Sequence, residues 1–562
     1  MERDLLKKGM NSQWQSKIVR IVPTYRDEKG IILIVVLALI AILSLVGTTA
    51  VITTTTDIKI SSNYKTSVQA FYSAEAGIHD GINRLLNGTI SDNGSKTDPN
   101  WNGTSTYSSS AFNNSFTLKH VVSGGNVVND SNGNPLYIIT CTGTSSSSKK
   151  VLETVFSLTY DSIFHDSLLG CDGVYASSSI VTDSYNSDNG TYESQTHGNY
   201  GNISTTNAGA NITIASSSVI KGDANSTGNL IINSSAQVNG DANATGNIAM
   251  NSSSKVLGNV NTGGSLTMES SNRIYGNVNA TGNIAMSSSS QIDGNAITVG
   301  NIELSSSSDI LGNATAGGIV SINSGSSVSG TVTQSYTGYS GYPGVPTTDC
   351  DPSDTSAFFN DNAAPITSGN DNGELSSFYY DIFTHSFSIG SSNSYTLGVA
   401  GESKKYYFSS LSVTSSSRLI ITGNVTLYIN GNFTFSSSSD LVLASGAKLT
   451  AYVTGITSVG SSGKINAAND KKPANFFLWS SATSADNSDY KVTLTSSSDV
   501  YAAIYAPRAA ISITSSVDLY GAVRGKYVNI ASSGDFHYDE TLKNMAVGNP
   551  TSYKIVSWRE VN

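Results

Sequence analysis

Glycine recurs every 18 residues over positions 222–330, seven times without a slip. A second glycine series, displaced by six residues, keeps the same period. Apolar residues hold the same register between them, in columns that begin at Ile220, Leu230 and Ile232. A fixed period means that each unit buries its apolar face only against its neighbours, which is the architecture of a solenoid. The repeat therefore predicts a rod and indicates no catalytic centre.

Each repeat is predicted to be one turn of three short strands. Apolar residues two apart, such as Leu230 and Ile232, lie on one face of a strand. The glycines mark corners that need positive φ or close approach. The Asn or Asp that follows most of them can form side-chain ladders between turns. Seven turns would give a rod of roughly 34 Å. Because apolar residues do not fall at every sixth position, the rung resembles the bactofilin type more than a left-handed hexapeptide helix, and either handedness fits.

Composition indicates a β-rich, extracytoplasmic structural protein. Charged residues make up 13% of the 562-residue chain, and 28 tyrosines far outnumber four tryptophans. A net charge of −10 without a basic stripe argues against a nucleic-acid partner. The three cysteines, Cys141, Cys171 and Cys350, form no CxxC pair, so a zinc site is not indicated. One disulfide and one free thiol are compatible with an oxidising compartment, and the sequence does not choose the pair.

The N-terminus carries a membrane signal. Residues 1–29 hold seven Lys or Arg and four Asp or Glu, and an apolar run follows Gly30. About 20 apolar residues can span a bilayer as a helix, and the basic flank places the N-terminus in the cytoplasm. A signal anchor or a cleaved secretory signal is the alternative, but no A-x-A-like site closes the run.

A more specific interpretation comes from the basic leader, Gly30, the apolar run and the later block AFYSAEAGI. Together these resemble the N-terminal segment of PilX-type minor pilins over residues 30 to 86. The resemblance implies cleavage after Gly30 by the prepilin peptidase and N-methylation of Ile31. It also implies contacts with other pilins and minor pilins through the helix, a single pass of the inner membrane and a final extracytoplasmic position. Most major pilins have glutamate at the fifth mature position, where this chain has Val35, and this departure predicts a place at the filament tip.

The predicted fold is mainly β, with an N-terminal helix, a small antiparallel β domain and a β-helix. The predicted parts are a leader (1–30), a transmembrane and amphipathic pilin helix (31–88), a small pilin-like β domain (89–160), a cap followed by the 18-residue-repeat β-helix (161–333), an irregular excursion (334–403), a second β-solenoid segment (404–545) and a C-terminal tail (546–562). The stretch from about 165 to 545 also resembles an uncharacterised domain that accompanies PilX-type N-termini.

Candidate catalytic groups are sparse. The six histidines are scattered and form no closely spaced metal-binding pair. The one dense polar cluster comprises Asp535, His537, Asp539 and Glu540; it could serve a metal or catalysis, and capping of the open end of the last rung is the favoured interpretation. Acid–base pairs are not indicated on the rod, because asparagines surround the aspartates there. We therefore predict no enzymatic activity, no metal and no cofactor.

The sequence predicts a structural minor pilin or pseudopilin of a type IV pilus or related filament, which primes assembly from the tip and presents its β-helical head. The alternative is a surface adhesin that binds a glycan or a protein. Its candidate patch combines Tyr336, Tyr339 and Tyr342 with residues 378–380. A larger tip adhesin or a surface ligand is the further partner expected.

Overall fold

The computed structural model describes residues 28–87, 107–109, 113–130, 135–159, 162–323, 325–352, 354–495, 497–514, 516–544 and 552–561. They form a long N-terminal helix, a small antiparallel sheet and a long parallel sheet wound into a β-helix. This confirms the predicted mainly β fold. Most of the predicted leader lies outside the described residues.

The N-terminal helix, Glu28–Leu86, has 59 residues and two different halves. In the first half the large apolar side chains from Ile31 to Ile60 are exposed. The threonines of this half satisfy their hydroxyls locally, each donating to the carbonyl four residues earlier at 2.6–2.9 Å. Such a half is long and apolar enough to cross a membrane.

The second half of the helix packs on the small sheet. Its buried face repeats at helical spacing: Ala70, Ala74, Ile78, Ile82 and Leu85. Helix and sheet approach closely because glycine lies at the contacts. A Cβ on Gly77 would collide with the Sγ of Cys141, and one on Gly143 would collide with the helix backbone. The predicted amphipathic continuation is thus confirmed.

The small sheet has five antiparallel strands. In spatial order they are Tyr107–Ser109, Asn114–His120, Leu136–Ser145, Ser148–Thr159 and Ser552–Val561. A short hairpin, Val122–Ser123 with Asn126–Val127, lies beside it. The last strand lies within residues 546–562, which were predicted to form a C-terminal tail. That prediction is wrong, because Ser552 lies opposite Thr159 and Val561 opposite Val151. Everything between Thr159 and Ser552 is an insertion between two neighbouring strands.

The 18-residue repeat forms the predicted three-stranded rung. After Asn211–Ile214 and Val219–Ile220, the strands Ala224–Ser226, Leu230–Ile232 and Gln237–Val238 recur every 18 residues, up to Ala314–Ala316, Val320–Ile322 and Ser327–Val328, and Val332–Thr333 is the last. Equivalent strands pair in parallel and in register, for example Leu230 with Ile248. The apolar columns are buried inside the rod, as predicted.

The rung corners differ in part from the prediction. The repeat glycines serve close approach and not positive φ, since a Cβ on Gly294 would lie 2.5 Å from the carbonyl oxygen of Gly276. Positive φ is found instead at a serine in each rung, with values of 53–64° at Ser217, Ser235, Ser253, Ser271, Ser289 and Ser307. Left-handed backbone is uncommon for non-glycine residues, and the stacked register holds these serines in it.

Asparagine ladders run along the rod in two forms. At the corners the backbone N–H of one rung donates to the side-chain oxygen of the rung before, as from Asn277 to Asn259 at 2.9 Å. In mid-strand, side-chain amides donate directly to one another at 2.7–2.8 Å. This second ladder joins Asn225, Asn243, Asn261 and Asn279. Both forms add hydrogen bonds between rungs outside the apolar interior.

The predicted cap at the start of the rod is wrong. Residues 168–204 form a middle rung from the strands Leu168–Ala176, Ile180–Tyr185 and Ile203–Ser204. Strand Asn211–Ile214 pairs with one side of Leu168–Ala176, and strand Asp518–Ile530 pairs with the other side. The two predicted solenoid segments therefore stack end to end on this rung, and one buried core runs through both.

The second segment winds toward the middle from the opposite end. Its strands are Ser386–Ile389, Ser394–Leu397, Ser403–Phe408, Ser410–Val413, Arg418–Ile421, Asn424–Ile429, Phe433–Phe435, Asp440–Leu443, Lys448–Val453, Thr457–Val459, Phe476–Ser480, Tyr490–Leu494, Val500–Ile513, Asp518–Ile530 and Gly534–Asp539. Its rungs vary in length, but Tyr501 lies opposite Tyr520, as their 19-residue spacing predicts. The first two strands fall inside the range 334–403 that was predicted to be irregular.

A single column of inward-facing residues shows the extent of the rod. Paired register positions connect Val320, at one end, through Val174 to Phe387, at the other, in fifteen successive rungs. At the spacing of neighbouring strands this corresponds to roughly 70 Å. Val174 is the eighth residue of the column, so the middle rung lies halfway along.

Residues 334–385 connect the two ends of the rod, and we call them the strap. They include the helix Thr355–Asn362 and two short 3-10 helices, Ala364–Thr367 and Asn372–Glu374. Further 3-10 helices lie at Ser187–Asn189, Tyr192–Ser194, Pro473–Asn475 and Glu540–Asn544. The strap contacts the rungs in reverse order, because the chain has to return along the whole rod before the second segment can begin.

Candidate functional site

The residues predicted to be processed lie at the start of the membrane helix. Gly30 and Ile31 fall within the helix Glu28–Leu86, and the Ile31 side chain is exposed. Val35, one turn further on, is also exposed. Ile31 and Val35 thus lie exposed on a segment that is long and apolar enough to cross a membrane.

The strap is fastened along the first half of the rod by backbone hydrogen bonds. The backbone N–H of Tyr342 donates to the hydroxyl of Thr281 at 2.9 Å. The N–H of Val345 donates to the hydroxyl of Thr245 in the same way, also at 2.9 Å. Thr245 and Thr281 occupy the same register position two rungs apart, so the extended strap follows the rung spacing.

At the middle rung the strap is held covalently. Cys350 forms a disulfide with Cys171, with their Cα atoms 5.5 Å apart. Arg524, which is buried, donates to the carbonyl oxygens of Asp349 and Cys350 at 2.6 and 3.0 Å, and to that of Ile163. Burial lowers the pKa of the Arg524 guanidinium. The remaining cysteine, Cys141, is free and buried in the small sheet.

Along the second half, side chains of the strap pack on the rod. Asp351 accepts hydrogen bonds from Tyr505 and Arg508, each at 3.0 Å. Phe358 stacks on Trp479 with ring centroids 4.1 Å apart. Sequence reasoning missed these contacts, since the strap has no periodicity. Cys350 is the strongest sign of these contacts in the sequence, because a cysteine in an irregular segment suggests that a disulfide anchors that segment.

A polar cluster lies beside the middle rung and joins distant parts of the chain. Asp183, 1% exposed, accepts hydrogen bonds from Tyr192 at 2.7 Å and Lys221 at 3.1 Å. His537 Nδ1 lies 2.6 Å from the other carboxylate oxygen of Asp183. The ring of Tyr192 stacks on that of His197 at 3.7 Å. We call these five residues the Asp183 cluster.

The cluster stabilises a buried charge. Burial on its own raises the pKa of Asp183, but hydrogen bonds from His537, Tyr192 and Lys221 outweigh it and hold the pKa below its ordinary value. A carboxylate that is ionised and fully paired fits a structural role in this position. Among the described residues, no group of three or more His, Cys, Asp or Glu side chains is arranged to hold a metal ion.

The predicted polar group Asp535, His537, Asp539 and Glu540 does not cap an open end, so that interpretation is wrong. Its strand, Gly534–Asp539, pairs with Ile180–Tyr185 in the middle of the rod. Asp539 accepts the N–H of Ser187 at 3.0 Å, and Glu540 accepts the hydroxyl of Ser184. The group therefore ties the end of the second segment to the middle rung, which is also the start of the first.

The aromatic residues predicted to form one patch do not share a surface, so that prediction is wrong. Tyr336 donates its N–H to the carbonyl oxygen of Ala316 near one end of the rod. Tyr380 packs near Phe408 at the opposite end, and Tyr379 lies beside Phe387 there. The strap thus separates the two groups by the length of the rod. Phe378 remains exposed.

Two family models match separate parts of the chain. Residues 29–79 match the family model described as PilX N-terminal. Residues 360–545 match that of a domain of unknown function, DUF7305. Among solved structures, the chain is similar to the competence-associated pilin ComZ from Thermus thermophilus, at 12% identity over 88% of this chain and 97% of that chain, with a TM-score of 0.21. No curated protein matches the chain.

The family match and the membrane-competent helix support a type IV pilin-related structural protein. Its N-terminal segment matches the PilX N-terminal model, and a distinct domain follows. This confirms the family resemblance predicted from the leader, the apolar run and the AFYSAEAGI block.

Proposed function

We propose that the chain is a minor pilin that occupies the tip of a type IV pilus or a related filament. The observation that carries this proposal is the insertion of the rod between the strands Ser148–Thr159 and Ser552–Val561. Helix and sheet form a complete pilin unit, which can assemble through its helix with other pilins. The rod is an addition that this unit presents outward.

The size of the rod supports a place at the end of the filament. Helices of neighbouring subunits pack on the order of 10 Å apart, whereas the rod is roughly 70 Å long. Heads of this length would collide if every shaft subunit carried one. Val35 adds a second reason, because a subunit without the fifth-position carboxylate cannot neutralise the terminal amine of a neighbour, and a buried unpaired amine is costly.

The disulfide supports the proposed orientation. Cys171 and Cys350 are joined, and disulfides persist in oxidising compartments outside the cytoplasm. The basic leader stays on the cytoplasmic side. The protein would therefore cross the inner membrane once, with its N-terminus in the cytoplasm, before it enters a filament.

Processing is part of the proposal and can be tested separately. We expect the prepilin peptidase to cleave after Gly30 and the new terminus, Ile31, to be methylated. Gly30→Glu should leave the leader attached and keep the protein in the membrane fraction, as shown by peptide mass mapping. An intact leader on the unmodified protein in purified filaments would contradict the proposal.

Position in the filament is tested by immunogold labelling with an antibody raised against the rod. We expect gold particles at one end of each filament and few along the shaft. The matched control is an antibody against the major shaft subunit, which should label the whole length. Uniform labelling by the rod antibody would exclude a tip position.

An adhesive role is the second candidate, because one end of the rod carries an exposed apolar knob. Phe378, Ile382 and Phe383 are exposed there, Phe383 to 92%. Exposed apolar side chains that are grouped together are candidates for a contact surface. If the knob binds a surface, Phe383→Ala should reduce adherence of filament-bearing cells without changing filament number. Unchanged adherence would exclude the knob as the binding site.

A further inference from the structure

The two ends of the rod differ in how completely the strap covers the last rung. At the Phe387 end, the strap covers the last rung: Tyr380 is buried, and Ser388 N–H donates to Tyr379 O at 2.9 Å. Asp381 N–H donates to Ser386 O at 2.9 Å. Backbone edge and apolar core are both covered there. A solenoid ordinarily requires such a cap at each end.

The opposite end is covered only in part among the described residues, where the backbone N–H groups of Ser335 and Tyr336 donate to the carbonyl oxygens of Gly318 and Ala316, each at 3.0 Å. Ile319, Ile322 and Val332 of the last rung are 62%, 43% and 39% exposed. One rung earlier, Leu304 and Ala314 occupy the same columns as Ile322 and Val332 and are 0% exposed. Two interior columns thus reach solvent at Ile322 and Val332, whereas Val320 is only 8% exposed and Ile319 takes the corner position of Asn301; we call this surface the open end.

The backbone edges of the last strands face the same side of the rod as the exposed apolar residues of the open end. Val320–Ile322, Ser327–Val328 and Val332–Thr333 each pair in register with a strand of the rung before. Gln334 covers one amide, since its Oε1 accepts the N–H of Val320 at 3.2 Å. Three short parallel edges surround the exposed apolar residues. Unpaired edges of this kind are templates for another strand.

Charge does not protect the open end. Residues 310–348 contain no Asp, Glu, Lys or Arg. Proteins commonly guard sheet edges with charged residues. Two carboxylates, Glu303 and Asp309, lie one rung back, opposite Ser321 and Ser327, and Asp309 accepts a hydrogen bond from Ser327 at 2.6 Å. The last rung itself would therefore bring no charged side chain against a second copy, although the chain carries a net charge of −10.

We propose that the open ends of two copies of this chain pair end to end. Rung-on-rung stacking already joins segments that are distant in sequence, since the middle rung pairs in parallel with Asn211–Ile214 and Asp518–Ile530, and the open ends would use the same kind of backbone edge between copies. Because both copies present the same surface, the pairing is two-fold symmetric and the facing strands run antiparallel. It buries Ile319, Ile322 and Val332 of both copies.

A contact one rung wide is small, and small interfaces give weak, reversible complexes. Pairing therefore depends on concentration and is strengthened when many copies are held near one another. If the protein occupies filament tips, the pair would join two filaments tip to tip. This consequence rests on the proposed function, whereas the pairing itself does not.

The test uses the full chain, purified in detergent and examined by negative-stain electron microscopy and sedimentation over a range of concentrations. We expect rods joined end to end, with twice the length of single rods, in a fraction that grows with concentration. The variant Ile322→Lys/Val332→Lys places two ammonium groups on the open end and should lower that fraction at least tenfold. The matched control, Phe378→Lys/Phe383→Lys, places the same charges on the capped end and should leave it unchanged.

A milder variant keeps the test decisive if the double substitution unfolds the last rung. Thr331→Lys adds one charge at an exposed position of the same end and should also reduce pairing. Single rods at all concentrations, joints at the capped end, or joints that survive both open-end variants would overturn the proposal. Tip labelling by immunogold is independent of these outcomes, so failure of the pairing and failure of the tip position are distinguishable.

Discussion

At the scale of single residues, position relative to the rung decides what a side chain does. Ile284 and Ser288 are four residues apart, yet Ile284 is 0% exposed and Ser288 is exposed at a corner. The difference arises because Ile284 lies on the inward face of the strand Ile284–Met286, whereas Ser288 lies beyond the end of that strand, at a corner with a positive φ of 51°. Inward and outward positions alternate along the strands in every rung of the regular repeat.

Ile284→Asp should destabilise the rod strongly, because it buries an unpaired carboxylate among apolar side chains at a cost of several kcal/mol. Neighbouring rungs should loosen too, since each rung is stabilised mainly by its neighbours. Ser288→Asp is the matched control and should be nearly neutral, because Asp tolerates the positive φ of 51° found there. Denaturant unfolding of both variants measures the effect. Equal stabilities would contradict the assignment of inner and outer faces.

Asp183 should make rod stability depend on pH in the acid range. Its pKa is lowered in the folded protein, so its contribution is present above the unfolded value of about 3.9 and is lost as pH falls through the lower folded value. Asp183→Asn should cost about 3 kcal/mol at pH 7, as removal of one partner from a buried ionic group does, and less at pH 3. Exposed Asp361 provides the control: Asp361→Asn should change stability little at either pH. A cost for Asp183→Asn that does not vary with pH would contradict the paired carboxylate.

At the scale of elements, the strap joins the two halves of the rod. It returns along fifteen rungs and is fixed at the middle one by the disulfide between Cys171 and Cys350. Arg524 adds hydrogen bonds to two strap carbonyls at the same place. An irregular segment of this length depends on such anchors, because it has no repeating contacts of its own.

Cys350→Ser should lower the free energy of unfolding by up to roughly 5 kcal/mol, the chain-entropy value for closing a loop of this length. The first effect should be local, as faster hydrogen exchange in the strap. Cys141→Ser serves as the control for loss of a cysteine outside the disulfide. Burial raises the pKa of Cys141 to about 12, so its thiol should also resist maleimide in the folded protein. Unchanged strap exchange in Cys350→Ser would show that the non-covalent contacts suffice.

At the scale of the whole molecule, the protein is a pilin unit with a rod inserted near its C-terminus. The strands Ser148–Thr159 and Ser552–Val561 would form a simple hairpin if the rod were absent, because Thr159 lies opposite Ser552. The rod begins and ends at its middle rungs. Both of its ends are therefore remote in connectivity from the pilin unit.

Replacing residues 160–551 by a short Asn-Gly hairpin turn should leave a folded pilin unit, since the helix, the five strands and their core are retained. Circular dichroism and thermal unfolding measure this. Val35→Glu in this headless chain should permit incorporation along the shaft, which immunogold labelling of an epitope tag would show. Val35→Glu in the full chain should not. Shaft incorporation of the full-length variant would contradict the steric argument.

The sequence alone determined the local periodic features. The apolar run and the Ala70 to Leu85 face predicted one long helix, and the 18-residue period predicted rungs, their register and their buried columns. These features depend on residues close in sequence or on strict repetition, so the pattern carries them directly. In the less regular second segment, the similarity of two adjacent stretches 19 residues apart matched Tyr501 with Tyr520 correctly.

Only the tertiary structure decided how distant segments meet. It placed residues 168–204 in the middle of the rod, paired Cys171 with Cys350, returned Ser552–Val561 to the pilin sheet and assembled the Asp183 cluster from residues up to 354 positions apart. Each of these is a single contact between segments without a shared period. Each contact is stabilised by two complementary surfaces, and these surfaces exist only after both segments have folded. No local pattern in the sequence therefore predicts such a contact.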